Sequence, residues 1–282
     1  MRTRRRRSRS SNLASGEALR PATVASPLTL EVRILGGFQI AVDGQVLERP
    51  AWRLRKAENL VKLLAATPGH RLHREQILEA LWPEADLHGA STAFYQALHF
   101  ARRALEPDLA DRHSSAFLHL EHNLLELRAP GRLWVDADGF EEAAAAARAT
   151  VDPEAYRRAV GLYAGDLLPD DLYEDSVATR RQHLRHTCLD LLAGLAQRLQ
   201  SNDDINGAIA VLQRALQVEP ASEEIHVSLV RVYALAGMRE RALLQYRRLS
   251  EILEAGSGCA TRSGDAATVR GHRRRPIPHG LR

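Results

Sequence analysis

The amino-acid sequence predicts a mainly α-helical protein with a small β component, in which a strand–helix–hairpin unit precedes an all-α repeat segment. Alternating and β-branched residues are concentrated at 28–47 and 116–128. Apolar residues at helical spacing occupy most of the remaining chain. Two stretches within residues 195–250 repeat each other at a constant offset of 34 residues.

Length and composition restrict the class of protein. The 282 residues are enough for about two domains. No apolar run reaches the roughly 18 residues of a membrane span, which argues against a membrane partner. The two cysteines, Cys188 and Cys259, have no CxxC partner, so neither a disulfide framework nor a zinc site is predicted. A reducing cytoplasm is the expected location, and no cofactor is expected.

The positive charge lies at the two ends of the chain. Residues 1–20 contribute +6 and residues 255–282 contribute +5 to the formal net charge of +4, so residues 21–254 carry −7. Both ends are rich in Arg and show no hydrophobic periodicity. They predict a disordered basic arm over 1–27 and a disordered tail over 255–282.

The first ordered segment is LTLEVRILGGFQIAVDGQVL from residue 28. It alternates, and Asp43-Gly44 separates two short apolar runs, which is a strong hairpin signal because both turn residues need positive φ. Strands are therefore expected near 30–35, 38–42 and 45–47.

Three helices and a second hairpin follow. AWRLRKAENLVKLLAATPG predicts a helix that ends at Pro68-Gly69, and two more helices are expected at 73–82 and 90–105. FLHLEHNLLELRAP alternates on both sides of a turn and predicts a hairpin over 116–128. This order is typical of a winged helix-turn-helix over 28–130, in which the third helix enters the major groove and the hairpin is the wing.

The third helix has a polar face opposite its apolar stripe. Short or planar hydrogen-bonding groups suit base edges, and cations suit phosphates. Gln96 fits an adenine, and Arg103 fits a guanine or a phosphate. The candidate DNA-contacting residues of this helix are Ser91, Thr92, Tyr95, Gln96, His99, Arg102 and Arg103. The alternative is a solvated polar face.

A second basic cluster precedes and opens the first helix. It comprises Arg49, Arg53, Arg55, Lys56 and Lys62 against Glu58, and we take Arg53, Arg55 and Lys56 as candidate phosphate contacts. Against this prediction, residues 28–130 hold twelve Lys and Arg and thirteen Asp and Glu, so the whole segment is not basic.

Residues 131–254 are predicted to be helical. Helices are expected at 136–149, 153–162 and 174–200. LAQRLQSNDDINGAIAVLQRAL from Leu195 then matches LVRVYALAGMRERALLQYRRLS from Leu229. The offset of 34 residues is the tetratricopeptide period, in which each helix pair buries its apolar face against a neighbour.

Several of these segments resemble those of a known protein family. WRLRKAENLVKLLAATPGHRLHREQILEALWPEADLHGASTAFYQALHFARRALEP is similar to the OmpR-type winged helix of bacterial activators related to the antibiotic regulatory proteins. WVDADGFEEAAAAA, LYAGDLLPDDLYEDSVATRRQHLR and the two repeats resemble the bacterial transcriptional activator (BTAD) domain. The resemblance implies sequence-specific binding to double-stranded DNA, often as a homodimer on direct repeats, and activation through contact with RNA polymerase.

Two other functions remain open. A helical-repeat adaptor would use the winged helix for protein contacts, which the near-neutral charge of 28–130 favours. The second is a truncated fragment of a larger ATPase-type regulator. Larger relatives often continue into a nucleotide-binding ATPase, and this chain contains no phosphate-binding GxxxxGK[ST] loop.

The sequence does not indicate an enzyme or a metal site. It contains no GxSxG or HExxH motif. The group His113, His119 and His122 and the pair at 183 and 186 lack ligand spacing. The acidic residues between 166 and 175 are expected to form a solvated loop that faces a partner.

The C-terminal end departs from the family pattern. In relatives the last repeat helix leads into a Glu-Leu-Gly segment and a Glu-Thr-Arg helix with Leu-Tyr-Glu. Codons for residues 264–271 can be chosen so that a shifted frame encodes Glu-Thr-Arg-Arg-Leu-Tyr-Glu. We hypothesise that the chain is frame-shifted from about residue 255, the alternative being a naturally disordered tail. A nucleotide sequence without that helix in the shifted frame would reject the hypothesis.

Overall fold

The computed structural model describes residues 28–48, 51–109, 114–170 and 174–262, with the side chains of 174–176 and 255–262 left out. The predicted basic arm and residues 263–282 lie outside these ranges. Helices make up most of the described chain and the strands are short, which confirms the predicted fold class. None of the described helices combines the length and the apolarity needed to cross a membrane.

A four-stranded sheet opens the fold. Its strands are β1 (Leu30–Arg33), β2 (Gln39–Val42), β3 (Gln45–Val46) and β7 (Leu133–Val135), in the order β3-β2-β1-β7. The turn at Asp43 and Gly44 has φ of 49° and 77°, as the hairpin prediction required. The first three strands were predicted. Strand β7 was not, because it pairs in parallel with β1 across about 100 residues and no local turn announces it.

Three helices follow the meander: α1 (Arg55–Ala66), α2 (Arg74–Leu81) and α3 (Leu87–Leu105). α1 ends just before Pro68 and α2 ends just before Pro83, where the missing N–H stops a helix. α3 begins two to three residues earlier than predicted because the Asp86 carboxylate accepts a hydrogen bond from the Gly89 N–H at 3.0 Å. The fully buried Phe94 anchors α3 in the core.

The predicted second hairpin consists of β5 (Leu118–Glu121) and β6 (Leu124–Leu127). His122 and Asn123 both have positive φ, 49° and 65°, which suits a two-residue turn. A third strand, β4 (Arg71–His73), pairs with β6 and was not predicted, because three residues are too few to show periodicity.

The remaining helices are α4 (Asp136–Arg148), α5 (Pro153–Leu162), α6 (Glu174–Ser201), α7 (Ile205–Val218), α8 (Glu223–Leu235) and α9 (Arg239–Arg262). Each packs against the next along the chain. Helix α9 continues to residue 262, so the disordered tail predicted from 255 begins too early. The prediction relied on the Gly residues of 255–262, each of which costs a helix about 1 kcal/mol. Adding a residue to an existing helix is easier than starting a new one, so α9 extends through this stretch.

The sheet and the helical segment are joined through one aspartate. The Asp136 carboxylate, at the start of α4, accepts hydrogen bonds from the N–H groups of Ile34 and Leu35 at 2.9 and 3.0 Å. Nearby, Gly36 has a φ of +79° and an added Cβ would lie 3.0 Å from the Ala164 backbone. The segment after β1 is therefore fitted closely against the α5–α6 connection.

A buried arginine forms a second junction. The Arg180 side chain in α6 is 9% exposed and donates to the Ala66 carbonyl at 3.0 Å and to the Glu141 carboxylate at 2.9 Å. It also pairs with Asp138, which in turn contacts His70 Nε2 at 2.7 Å. Helices α1, α4 and α6 thus share one polar network.

Asp166 shows that the acidic loop is not simply solvated. Its carboxylate accepts from the Tyr163 hydroxyl at 2.7 Å and pairs with Arg185. Asp170 is exposed, as expected, and Asp171 and the side chains of Glu174 and Asp175 lie outside the described residues.

We expect Cys188 to resist thiol reagents in the folded protein. Its side chain is fully buried, and burial raises the pKa of the thiol to about 12, so little of the reactive thiolate is present at neutral pH. A Cys259→Ser variant leaves Cys188 as the one thiol of the chain. Its alkylation should be slow in native buffer and complete in denaturant, and fast native labelling would contradict this burial.

Candidate nucleic-acid interface

Helix α3 buries one face and exposes the other. Phe94, Leu98 and Ala101 are buried. The exposed residues include Thr92, Tyr95, Gln96, His99 and Arg103, which we call the exposed face of α3. At 1.5 Å per residue this face extends over roughly 16 Å, and residues 87–105 contain no Asp or Glu.

The N-terminal half of the exposed face carries small polar groups. Thr92 is exposed, and its hydroxyl donates to the His88 carbonyl at 3.1 Å, which fixes its rotamer. Gln96 is exposed one turn later. Ser91 is only half-buried and lies at the edge of the face. A planar amide beside a fixed hydroxyl is suited to hydrogen bonds with base edges.

Tyr95 connects α3 with the β5–β6 hairpin through Arg74. The Arg74 guanidinium donates to the Tyr95 hydroxyl at 3.4 Å and lies 5.9 Å from the centre of the ring. The backbone N–H of Arg74 donates to the Asn123 carbonyl in the hairpin turn at 2.7 Å. The hairpin turn is therefore held beside the exposed face.

A basic cleft lies at the C-terminal half of α3. It has a volume of about 380 Å³ and is lined by Ala51, Arg53, His99, Phe100, Arg103 and Pro107. Arg53 and Arg103 are both exposed, and Arg103 also donates weakly to the Pro107 carbonyl at 3.4 Å. The sequence placed Arg53 and Arg103 in two separate clusters. The fold brings them to one cleft with His99.

Arg102 does not belong to the exposed face. Its Nε and Nη2 groups donate to the Leu118 carbonyl at 3.2 and 2.9 Å, which joins α3 to β5. Burial lowers the pKa of the Arg102 guanidinium, and Glu106 partly opposes this effect. Its function in this structure is to position the hairpin on α3.

Lys56 also has a structural function. Its ammonium donates to the Leu81 carbonyl at the end of α2 and lies 5.7 Å from the centre of the Trp82 ring. Burial, followed by repulsion from Arg55, lowers the pKa of Lys56. Arg55 is exposed and remains a candidate phosphate contact.

Two exposed arginines near the hairpin were not among the sequence candidates. Arg71 lies in β4 opposite Glu126, and Arg128 follows β6 and contacts His119 Nδ1 at 3.0 Å. Recognising Arg71 would have required β4, which carries no detectable pattern, whereas Arg128 ends the hairpin that the sequence predicted over 116–128. His113 lies outside the described residues, within which no group of three His, Cys, Asp or Glu is placed to hold a metal ion.

Comparison with known proteins bears on the helical segment. Residues 135–263 match the model of the bacterial transcriptional activator domain. This activator domain match includes α4–α9 and does not extend to α3. No curated protein matches the chain significantly.

A solved structure shares the fold. Mycobacterium tuberculosis EmbR, in complex with a low affinity phosphopeptide, superposes with a TM-score of 0.59 at 20% sequence identity. The match covers 79% of this chain and 59% of that chain, so this chain spans less than two thirds of the length of that structure. The superposition demonstrates a common fold, and at 20% sequence identity it demonstrates the fold alone.

Proposed function

We propose that this protein is a transcriptional regulator that binds double-stranded DNA sequence-specifically and acts as an activator through its helical domain. Residues 28–130 would form an OmpR-type winged helix-turn-helix with α3 in the major groove. Residues 131–254 would serve self-association or contact with RNA polymerase. The activator domain match at 135–263 and the fold shared with EmbR support the regulatory class.

The exposed face of α3 carries the DNA-binding part of this proposal. It combines Thr92, Gln96 and His99 for base edges with Arg103 next to Arg53 for the backbone. Residues 87–105 contain no Asp or Glu. DNA binding by α3 is therefore compatible with the nearly neutral charge of 28–130 as a whole. The acidic residues that flank α3 are Asp86 and Glu106 at its two ends, so the charged groups between them on the exposed face are basic.

The experiment is selection from a random duplex pool by the full chain, followed by titration of the enriched duplex. Gln96→Ala and His99→Ala should each relax preference at one base position, worth about 1–3 kcal/mol of discrimination. Arg53→Ala should weaken all duplexes alike and reduce the salt dependence of binding by about one unit of slope.

The matched control for Gln96 is Gln197, an exposed glutamine on α6. Gln197→Ala should leave both preference and affinity unchanged. The proposal fails if no motif is enriched at low salt, or if Gln96→Ala weakens cognate and scrambled duplexes equally, which is the result expected only of Arg53→Ala.

An adaptor that binds proteins is the second candidate function. The feature that favours it is the slight excess of acidic residues in 28–130. It predicts no enrichment from the duplex pool and no steep loss of binding with added salt, so the same titration separates the two functions.

A further inference from the structure

A cleft with a volume of about 440 Å³ lies where the sheet meets the helical segment, and we call it the junction cleft. Three parts of the chain form it: the segment after β1, the connection between α5 and α6, and the C-terminal end of α7. Its lining includes Gly36, Ala164, Asp166, Pro169, Arg214 and Val218. Small-molecule sites have volumes of about 300–1,000 Å³ and often lie between domains, so the size and the position of this cleft both suit a ligand.

Backbone contacts fix the walls of the junction cleft. The Gly36 N–H donates to the Asp166 carbonyl at 2.8 Å, and the Leu168 N–H donates to the Ile34 carbonyl at 2.9 Å. A Cβ added at Gly165 would lie 2.9 Å from the Gly36 Cα, so these two backbones are in direct contact. A ligand would therefore meet a preformed site, which reduces the conformational entropy lost on binding.

Arg214 supplies the cleft with a group that can bind a carboxylate. Its Nη2 donates to the Val160 and Tyr163 carbonyls at 2.9 and 3.3 Å, which holds the guanidinium in place. Among the described residues, no acceptor contacts its Nε or Nη1 and no carboxylate pairs with it. Arg214 is also exposed, so a solute can reach it. The two remaining donor groups can each give a carboxylate a charge-assisted hydrogen bond.

The charges near Arg214 favour a ligand with a single carboxylate. Asp166, which also lines the cleft, accepts from the Tyr163 hydroxyl at 2.7 Å and pairs with Arg185. Arg185 in turn lies 3.6 Å from the Glu219 carboxylate, so its charge is already matched. A second carboxylate on the ligand would face the negative charge of Asp166. A hydroxyl or amino group could instead donate to Asp166 Oδ2, which accepts only from Arg185 among the described residues.

The rest of the lining is suited to an apolar group. Ala164, Pro169 and Val218 offer apolar surface, and the exposed Gln217 adds one amide. Ligand sites generally combine apolar walls with a few polar groups that fix the orientation of the ligand. An apolar side chain on the ligand would therefore complete the match.

We propose that the junction cleft binds a small monocarboxylic acid that carries an amino or hydroxyl group and an apolar side chain, which is the chemistry of an apolar α-amino acid or α-hydroxy acid. The carboxylate pairs with Arg214, the amino or hydroxyl group donates to Asp166, and the side chain contacts Pro169 and Val218. The inference does not depend on the proposed DNA binding, because the ligand contacts the sheet segment and α7 and not α3.

The first test is thermal unfolding of the full chain, without DNA, in the presence of two series of probes. One series is the apolar α-amino acids, and the other is the α-hydroxy acids with the same side chains. At least one probe should raise the unfolding midpoint in a saturable manner, because a ligand that binds only the folded state stabilises it. The series that contains the active probe identifies the donor group. The proposal is overturned if no probe of either series stabilises the protein, or if the corresponding carboxamides stabilise it equally.

The second test is calorimetric titration of variants with the active probe. Arg214→Gln should raise the dissociation constant about ten-fold or more, because the ligand loses its charge-assisted hydrogen bonds. Gln217→Trp should also weaken binding, because the ring fills part of the cleft. Gln217 is exposed, and its side chain makes no hydrogen bond to the described residues, so this variant should fold even if Arg214→Gln does not.

Arg231 supplies the matched control. It is an exposed arginine on α8 that does not line the junction cleft, so Arg231→Gln should bind the probe as the parent does. Equal weakening by Arg214→Gln and Arg231→Gln would contradict the proposal, and so would unchanged binding in Gln217→Trp. Duplex binding is measured separately, so its failure would not be confused with these outcomes.

Discussion

Replacing Arg180 by alanine should lower the free energy of unfolding by about 3 kcal/mol. The guanidinium is 9% exposed and makes contacts that join three helices. Its removal leaves two carboxylates, Asp138 and Glu141, next to each other and an unpaired carbonyl at Ala66. Breaking a buried ion pair costs about 3–5 kcal/mol. Both carboxylates here retain some access to water, so we expect a cost at the lower end of that range.

The same network predicts how stability responds to acid. Burial opposes ionisation of Asp138, but hydrogen bonds from His70 and Arg180 outweigh it and hold the pKa of Asp138 below its usual value. A depressed folded pKa contributes stability above the unfolded pKa of about 3.9, and this contribution is lost as pH falls through the folded pKa. Arg180→Ala should therefore reduce the loss of stability on acidification.

Arg148 is the control for Arg180. It forms a single ion pair with Asp190 at 3.4 Å, and both side chains are largely exposed. Arg148→Ala should cost less than about 1 kcal/mol, measured by urea denaturation under the same conditions. Equal costs for the two variants would show that the Arg180 network does not hold α1, α4 and α6 together.

Replacing Asp136 by alanine should cost about 2–4 kcal/mol. The N–H groups of Ile34 and Leu35 are buried, and each loses its acceptor in this variant. Asp136→Asn keeps one carbonyl acceptor and should cost less. The measurement is urea denaturation of the parent and both variants, and equal costs for the two variants would contradict this account.

Burial raises the pKa of Asp136 even though backbone hydrogen bonds at Ile34, Leu35 and Ala137 and the nearby Arg33 favour ionisation. A raised folded pKa gives stability that is fully present below the unfolded pKa of about 3.9 and is lost as pH rises through the folded pKa. The stability of the parent relative to Asp136→Asn should therefore decrease from acid to neutral pH. An increase over that range would show that the carboxylate is stabilised as an anion.

Local patterns in the sequence predicted most elements and the candidate face. The hairpin turn at Asp43-Gly44, the helices that end before Pro68 and Pro83, and the apolar stripe with Phe94 each depend on a few neighbouring residues. Such features are determined by backbone sterics, by the missing N–H of proline and by the helical period. The same period assigned Thr92, Gln96 and His99 to the side of α3 away from the core.

Long-range packing decided the remainder. β7 pairs with β1, Asp136 holds the end of β1, and Arg180 connects α6 to α1, all between residues roughly 100 positions apart. The same packing gave Lys56 and Arg102 structural partners and placed Arg53 beside Arg103. Periodicity assigns a side chain to a face of its own helix. Which carbonyl, carboxylate or ring then lies opposite is fixed by the packing of elements distant in the chain, and no local pattern encodes it.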